Sequence, residues 1–471
     1  MERTEYGDAE LEAAAYRAAE LFVQVFRGWE SRRVAPAATE AEVRALFRGT
    51  LGERGTGMLR AVEDFAGKVL PHSLAIPSPM YAGLVNSSPL AGAALADGLV
   101  SALNNNAGAF HQGPAVSACE EEVLRAFARL AGMPEDTEGM LLPGGTFANL
   151  QGLVLARDAA FPDVLPPEAR LYTSEASHFS VARAARIAGL GPRAIVALPT
   201  TGRGALDVHA LRTRVREDRA AGARPFAVVA TLGTTGTGAI DPIAEVAALC
   251  REERLWLHVD ACYGGAALLV PELAGRLRDA VARADSLAVD AHKWFFIPLT
   301  AGLLLTPHRE TARAMFDVAA SFIPDGDRVD AWRRGMPTSR RATGLTVWMG
   351  LRAHGWGAVR EAVERNIRLT RELEAGLARR GFEVLGGGEL SIACARRVPP
   401  GWAEEAVDRL QESLAREVTA SGASWFTTVR LHGRVWLRFN LVNLYVQAHH
   451  VARLVDLVAE RAREVERAGV S

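Results

Sequence analysis

The chain predicts an α/β protein: a mostly parallel central sheet with helices on both faces, preceded by a helical arm and followed by a smaller α+β domain. Two observations carry this. Between residues 140 and 305, short apolar runs alternate with amphipathic stretches of helical length, the pattern of parallel strands joined by crossover helices. The polar motifs of the same region all fall where an apolar run ends, and ligands sit at those carboxyl ends in such sheets.

Composition bounds the possibilities. At 471 residues the chain has room for two or three domains, or one large two-domain enzyme subunit. A hydrophobic content of 49%, a charged content of 23% and a net charge of -1 are ordinary for a globular protein. They give no reason to expect nucleic acid or a membrane surface as partner. No apolar run approaches the roughly 18 residues of a membrane span, and the acidic start M-E-R-T-E-Y-G-D is not a secretory signal. Cys119, Cys250, Cys262 and Cys394 are scattered, with no C-x-x-C. No metal and no disulfide framework are expected, and a reducing cytoplasm is.

The elements follow in order. Residues 1–70 read as a helical arm, rich in Ala, Glu, Arg and Leu, of two helices broken near Val34, Ala35 and Pro36. A large domain is expected over 71–345. It opens on a Pro-, Ser- and Gly-rich stretch at 71–89 whose Met80, Tyr81, Leu84 and Val85 are too apolar for a solvated linker. Helices over 91–103 and 120–130 enclose the segment N-N-N-A-G-A-F-H-Q-G-P. Strands at 140–142, 170–173, 194–198, 227–232 and 255–260 then alternate with helices at 146–160, 180–187, 208–221 and 243–253. Two short buried strands, 286–289 and 302–305, flank the run D-A-H-K ending at Lys293. A long helix over 345–380, interrupted at 355–357, leads into a small domain over 346–471 with strand signals at 391–395 and 435–439 and helices at 403–417 and 448–463.

Lys293 is the residue around which the motifs gather. Of 54 lysines and arginines only Lys68 and Lys293 are lysines. Arginine keeps its proton in a protein, whereas a partly buried lysine can become a neutral amine and form a Schiff base. Gly145 and Thr146, in a G-G-T turn between strand and helix, suit a phosphate, since glycines admit backbone N–H groups and the helix start adds positive charge. His178 ends another strand before a helix, and the hydroxyl-rich T-L-G-T-T-G-T-G loop ends a third. Asp260 closes the apolar run H-V-D, where a carboxylate is costly unless it is paired; a protonated pyridine ring is one such partner. Together they describe a pyridoxal 5′-phosphate site, with Lys293 for the aldehyde, Asp260 for the ring nitrogen, and Gly145 and Thr146 for the phosphate.

The segments L-L-P-G-G-T-F-A-N-L, S-E-A-S-H-F-S-V-A-R-A-A, A-T-L-G-T-T-G-T-G-A-I-D, H-V-D-A-C-Y-G-G and D-A-H-K-W resemble the group II pyridoxal-phosphate-dependent amino-acid decarboxylases, which include the aromatic-L-amino-acid, glutamate and diaminobutyrate enzymes. The resemblance spans about residues 75–355 with the motifs in family order. It implies the fold-type I transferase-like fold and α-decarboxylation of an L-amino acid. Lys293 would hold the cofactor, His178 would stack on its ring, Thr235 would lie by the ring's 3′ oxygen, and His292 would join Gly145 and Thr146 at the phosphate. It also implies a homodimer with active sites at the interface, so that the loops over 77–86 and 110–114 line the substrate pocket. There Tyr81 and Phe110 favour an apolar or aromatic side chain, while His111 and Gln112 suit a polar one.

Two residues depart from the family pattern. Cys262 stands where the family has a second alanine after H-V-D-A, against the ring face opposite His178. Phe322 stands in the place of the loop tyrosine that protonates the carbanion left by carbon dioxide. In the aldehyde-synthase branch of the family the same difference goes with release of aldehyde, ammonia and hydrogen peroxide, so that product is the alternative expectation. An aminotransferase would need an arginine on the substrate carboxylate. Arg438 stands near a suitable place, although a surface or ion-paired arginine is the plainer expectation there. A scaffold without catalysis is disfavoured by the joint presence of Lys293, Asp260 and His178.

Overall fold

In the computed structural model, which describes residues 7–317 and 330–469, the arm has three helices rather than two: α1 (Asp8–Arg27), α2 (Glu40–Phe47) and α3 (Met58–Asp64). The break around Val34–Pro36 is present, and α2 starts on a capping box in which Thr39 and Glu42 satisfy each other's backbone N–H groups. Helix α3 was hidden from sequence reading because it is only seven residues long and packs on α1.

Helices α4 (Ala91–Leu103) and α5 (Pro114–Ala131) lead into β1 (Glu138–Leu142) and α6 (Gly145–Ala160). The chain then runs through β2 (Ala169–Ser174), α7 (Phe179–Ile187), β3 (Ile195–Leu198), a two-residue ladder of β4 (Thr200–Thr201) and β5 (Ala205–Leu206), α8 (Val208–Ala220), β6 (Arg224–Thr231), α9 (Ile243–Glu253) and β7 (Trp256–Asp260). Helix α10 (Pro271–Val281), β8 (Ser286–Asp290), β9 (Gly302–Thr306) and α11 (Arg309–Phe316) complete the large sheet region.

Seven of these strands form one sheet in the order β1-β9-β8-β7-β6-β2-β3. Strand β9 runs antiparallel to both neighbours, and the other ladders are parallel. The alternation of side chains sorts them into two cores. Leu257, Val259, Leu287 and Val289 join one, while Trp256, Ala227, Val229 and Ala288 join the other. Helices cover both faces, which is why these strands read as continuous apolar runs.

The long helix α12 (Thr343–Arg379) is interrupted at Gly355, where φ is 76°. It carries the chain to a second, antiparallel sheet, ordered β10-β11-β13-β12. Its strands are β10 (Phe382–Val384), β11 (Ile392–Arg397), β12 (Thr427–Leu431) and β13 (Arg434–Asn440), backed by α13 (Glu404–Ser421) and α14 (Ala448–Ala468). Sequence reading missed β10 and β12. The first is three residues long and the second is half-buried throughout apart from one exposed arginine, so neither shows a clean period of two.

Between β8 and β9 the chain makes a tight connection that presents Lys293. Ala291 N–H donates to Ala301 O at 2.7 Å, closing the loop at its base. Trp294, Phe295 and Phe296 are fully buried beyond it. The Trp294 indole donates to Asn366 Oδ1 at 3.0 Å, and Phe295 packs edge-on to Phe127 with centroids 4.9 Å apart. These aromatic anchors fix the backbone on which the lysine stands.

Candidate active site

A cavity of about 270 Å³ opens at the carboxyl ends of β1, β2, β6, β7 and β8. Its wall includes Gly145, Thr146, His178, Thr235, Asp260, Cys262, His292 and Lys293. These residues lie on five segments up to about 150 positions apart in the chain, and the sheet brings them to one place.

One wall is the start of α6. Gly144 has a φ of 98° and no side chain caps the helix, so its N-terminal N–H groups are left for an anion. Gly145 has to be glycine. A Cβ there would collide with Cys262 Sγ and come within 2.6 Å of Asp290 Oδ2. His292 accepts the Ala301 N–H on Nδ1 at 3.1 Å. Its Nε2 therefore carries the proton when the ring is neutral, and burial holds the ring's pKa below the ordinary histidine value.

Asp260 is buried, and its two oxygens accept the Cys262 N–H at 3.1 Å and the Asn149 amide at 3.0 Å. Burial alone would raise its pKa, but the charge of Lys293 and the Cys262 donor outweigh that and leave it low, so the carboxylate is ionised. His178 caps α7: its Nδ1 accepts the Ser180 N–H at 3.3 Å and lies 2.8 Å from Ser180 Oγ. Burial, followed by the charge of Lys293, lowers its pKa, so the ring is neutral at neutral pH with Nε2 left for the cavity.

Lys293 Nζ lies 3.0 Å from Asp290 Oδ2. Burial pulls its pKa down, yet the acidic groups around it, Asp290 first, more than reverse this. The expectation of a lysine made neutral by burial is therefore corrected for the protein without bound cofactor: a carboxylate three residues away holds it as an ammonium. The Cys262 thiol is pushed well above its ordinary pKa by burial and by Asp260, so it packs as a neutral group.

Other expected residues are elsewhere. Tyr81 is buried, stacked on Trp425 at 5.4 Å, with its hydroxyl accepting the Leu84 N–H at 3.1 Å. Phe110, His111 and Gln112 form an exposed 3-10 turn in which Gln112 Oε1 accepts the Asn106 amide at 2.7 Å. None of the four lines the cavity within one chain. Phe322 lies outside the described residues. Arg438 is neither exposed nor ion-paired among the described residues. It is 4% exposed, donates through Nε to Thr235 O at 2.8 Å and through Nη1 to Gly83 O at 2.7 Å, and its Nη2 has no hydrogen-bond partner among the described residues.

Sequence reasoning missed Asn149, Asp290 and Tyr263, which also line the cavity. Asn149 lies four residues after Gly145, on the same helix face, a spacing that would have found it. Tyr263 is fully engaged. Its hydroxyl accepts the Ser391 N–H at 3.0 Å and donates to Ser391 Oγ at 2.7 Å, since that serine's own proton goes to Asn440 Oδ1 at 3.0 Å.

An anion cradle, an ionised carboxylate without a cation within 4.0 Å among the described residues, and a lysine in one cavity fit the phosphate, ring nitrogen and aldehyde of pyridoxal phosphate. With this sheet topology they define a fold-type I pyridoxal-phosphate enzyme. Residues 58–395 match the pyridoxal-dependent decarboxylase conserved domain, and the chain belongs to that family. It is an enzyme that decarboxylates an amino acid with pyridoxal phosphate as cofactor. It is 28% identical over 473 residues to an aromatic-L-amino-acid decarboxylase of Bacillus atrophaeus, covering 97% of this chain and 96% of the relative. It is 32% identical over 421 residues to an L-2,4-diaminobutyrate decarboxylase of Rhizobium meliloti, covering 88% and 84%. The crystal structure of Oryza sativa TDC with PLP and tryptamine superposes with a TM-score of 0.92 at 24% identity, covering 98% of this chain and 99% of that one; at that identity it speaks for the fold. No described helix is long and apolar enough to cross a membrane, and no cluster of His, Cys, Asp and Glu among the described residues is arranged for a metal.

Proposed function

We propose that the chain α-decarboxylates an L-amino acid in this cavity, with Lys293 as the residue that binds the cofactor covalently. The observation that carries the reading is the convergence of Lys293, Asp260 and His178 on the cavity that begins at the uncapped end of α6. When bound, pyridoxal phosphate supplies an electron sink for the pair released with carbon dioxide. Asp260, anionic and held by two donors, faces the ring nitrogen and favours its protonated form. Thr146, His292 and the first N–H groups of α6 hold the phosphate. His178 covers one ring face and, as a neutral donor through Nε2, orients the substrate carboxylate. Cys262 would pack against the other face, and Thr235 would serve the ring's 3′ oxygen.

The active unit is a homodimer in this reading. Leu95, Leu99 and Leu103, at one face of α4, are 53%, 59% and 51% exposed, and Phe179 and Leu299 beside the cavity residues are 62% and 60% exposed. Leu95, Leu99 and Leu103 stand four residues apart on one helix, and an exposed apolar stripe of this kind is the mark of a covered surface. The exposed turn Phe110–Gln112 then reaches the partner's cavity, which gives it a place in substrate recognition. Four free cysteines fit a reducing cytoplasm.

A specific observation favours a second product. Phe322 has no proton to give, and Tyr263, the one tyrosine that lines the cavity among the described residues, has committed its own to Ser391. With no proton donor in place, dioxygen would be the competing reactant. Amino acid, dioxygen and water would then give aldehyde, ammonia, carbon dioxide and hydrogen peroxide. The test is a panel of L-amino acids assayed together for carbon dioxide, amine and oxygen uptake. Carbon dioxide release from at least one amino acid is expected; amine transfer to a keto acid without it would overturn the reading.

A further inference from the structure

Asp260 and His178 are joined by one buried chain of hydrogen bonds, and the direction of each bond in it can be assigned. Trp256, His258 and Asp260 alternate along β7, so all three point to the face covered by α6. Ser286 of β8 is in register with His258 on the same face. Gly152 lets α6 lie close over them, since a Cβ there would come within 2.6 Å of His258 Cε1.

Asp260 only accepts, so the part of Asn149 that lies 3.0 Å from its Oδ2 is the amide nitrogen. That choice turns Asn149 Oδ1 to His258 Nε2, 3.0 Å away, which must therefore carry a proton. His258 is wholly buried and neutral, with burial pushing its pKa down to about 4. Its Nδ1 is then bare and accepts the Ser286 hydroxyl at 2.8 Å, while Ser286 Oγ accepts the Trp256 indole N–H at 2.8 Å. The second amide proton of Asn149 goes to Ser180 Oγ at 3.1 Å. Ser180 donates its own to His178 Nδ1 at 2.8 Å, the nitrogen that already accepts the Ser180 N–H. Asn149, Ser180 and Ser286 are 1%, 1% and 0% exposed, so solvent competes little for the bonds among them.

We propose that Asn149, anchored by His258, is a positioning residue for the decarboxylation, coupling the carboxylate of Asp260 to the hydrogen bonds on Nδ1 of His178. Through one amide proton it keeps Asp260 a pure acceptor, so that a proton shared with a ring nitrogen stays on the ring. Through the other it orders Ser180, which keeps the His178 proton on Nε2 and towards the cavity. The charged groups that face His178 are Lys293, Asp260, Asp290 and Arg183. They shift its affinity for a proton, but none of them bonds its Nδ1, so the tautomer is set by the Ser180 N–H together with the Ser180 hydroxyl that the chain orders. The proposal rests on the assignment of Asp260 and His178 made above.

The test is nitrogen NMR of full-length protein with isotope-labelled histidine, with and without pyridoxal phosphate, combined with a pH titration of the cofactor's visible absorption. Wild type should show His178 as a single Nε2–H tautomer at neutral pH. Asn149→Ala should shift the His178 Nδ1 signal, with the Ser180 N–H still holding the tautomer, and move the midpoint of the absorption titration by about one pH unit, tenfold in proton affinity. Ser180→Ala should alter the His178 signals alone. His258→Leu should follow Asn149→Ala, whereas His258→Gln, which keeps a donor where Nε2 stood, should stay close to wild type. Unchanged His178 signals and an unchanged titration in Asn149→Ala and His258→Leu, with only melting temperature lowered, would overturn the proposal. Should those variants not fold, unchanged His178 signals in Ser180→Ala overturn it. A wild type without the absorption band would instead refute the cofactor assignment, and the cofactor-free spectra would still decide the chain.

Discussion

Asp290 Oδ2 and Lys293 Nζ stand 3.0 Å apart on the cavity wall, the carboxylate 2% exposed and the lysine 20%. The pair raises the lysine's pKa above its ordinary 10.5. A raised folded-state value means that the stabilisation is fully present below the unfolded-state pKa and is lost as pH rises through the folded one. The cofactor-free protein should therefore hold this contribution at neutral pH and lose it only in strong alkali.

The same pair sets how fast the cofactor is captured. Only the neutral amine attacks an aldehyde, so a carboxylate that favours the ammonium slows that step. Asp290→Asn should leave more free amine at neutral pH, and each unit of lowered pKa is about tenfold in that fraction. Stopped-flow absorbance of pyridoxal phosphate uptake by the cofactor-free protein should show the variant faster at pH 7, with the two rates converging in alkali. Equal rates at pH 7 would remove Asp290 from this role.

The two lysines make an internal control. Lys293→Ala should abolish the covalent attachment of the cofactor and its visible band. Lys68 is paired only with Asp64, at 3.0 Å on a partly exposed helix surface, and such pairs contribute about 0–1 kcal/mol. Lys68→Ala should keep the band and full activity, with melting temperature as the check on the small stability change.

Asp260→Asn should retain the fold and lose chemistry. Its neutral amide no longer balances a protonated ring nitrogen, and the N–H groups of Cys262 and Asn149 that served the carboxylate lose an anionic acceptor. A fall in kcat of more than about tenfold, or 1.4 kcal/mol of barrier, is expected from carbon dioxide release assays. A smaller fall would mean that another group faces the ring nitrogen.

Much of this was legible in the sequence for a physical reason. A parallel sheet puts its chemistry at strand ends, so Asp260 and His178 announced themselves as polar residues closing apolar runs. Lys293 announced itself as a lysine in an arginine-rich chain. Asn149 and Asp290 did not, because their roles are relations: Asn149 matters through His258 and Ser180, which are 109 and 31 positions away. Arg438 read as a surface or paired residue because nothing local shows that Gly83 and Thr235 carbonyls would enclose it. The turn at Phe110–Gln112, expected at the substrate, does not line the cavity of a single chain, and Phe322 lies outside the described residues.

Gly145 and Cys262 should be coupled. A methyl group at Gly145 meets Cys262 Sγ and lies 2.6 Å from Asp290 Oδ2, so Gly145→Ala should weaken pyridoxal phosphate binding at least tenfold. Cys262→Ala removes one of the two obstacles and should cost little by itself. In the double variant part of the lost affinity should return, a non-additivity of about 0.5–3 kcal/mol for residues in contact. Equilibrium titration of the four proteins with cofactor would measure it, and strict additivity would show that the helix start yields elsewhere.

Phe322→Tyr is the decisive substitution for the product. A phenyl ring can neither give nor take a proton at the carbon that loses carbon dioxide, and Tyr263 cannot substitute, since its hydroxyl is already spent on Ser391 at 2.7 Å. His178 and Lys293 are the remaining candidates in the cavity, and the lowered pKa of His178 leaves little imidazolium at neutral pH. Wild type should therefore take up oxygen and form peroxide in step with carbon dioxide. The tyrosine variant should shift the product towards amine by about a hundredfold, the lower end of a single positioned acid's effect. Oxygen electrode, peroxide assay and amine quantification on the same reaction would show the exchange directly. Amine equal to carbon dioxide in the wild type, with no oxygen consumed, would mean that His178 or a water supplies the proton and that the chain is a simple decarboxylase.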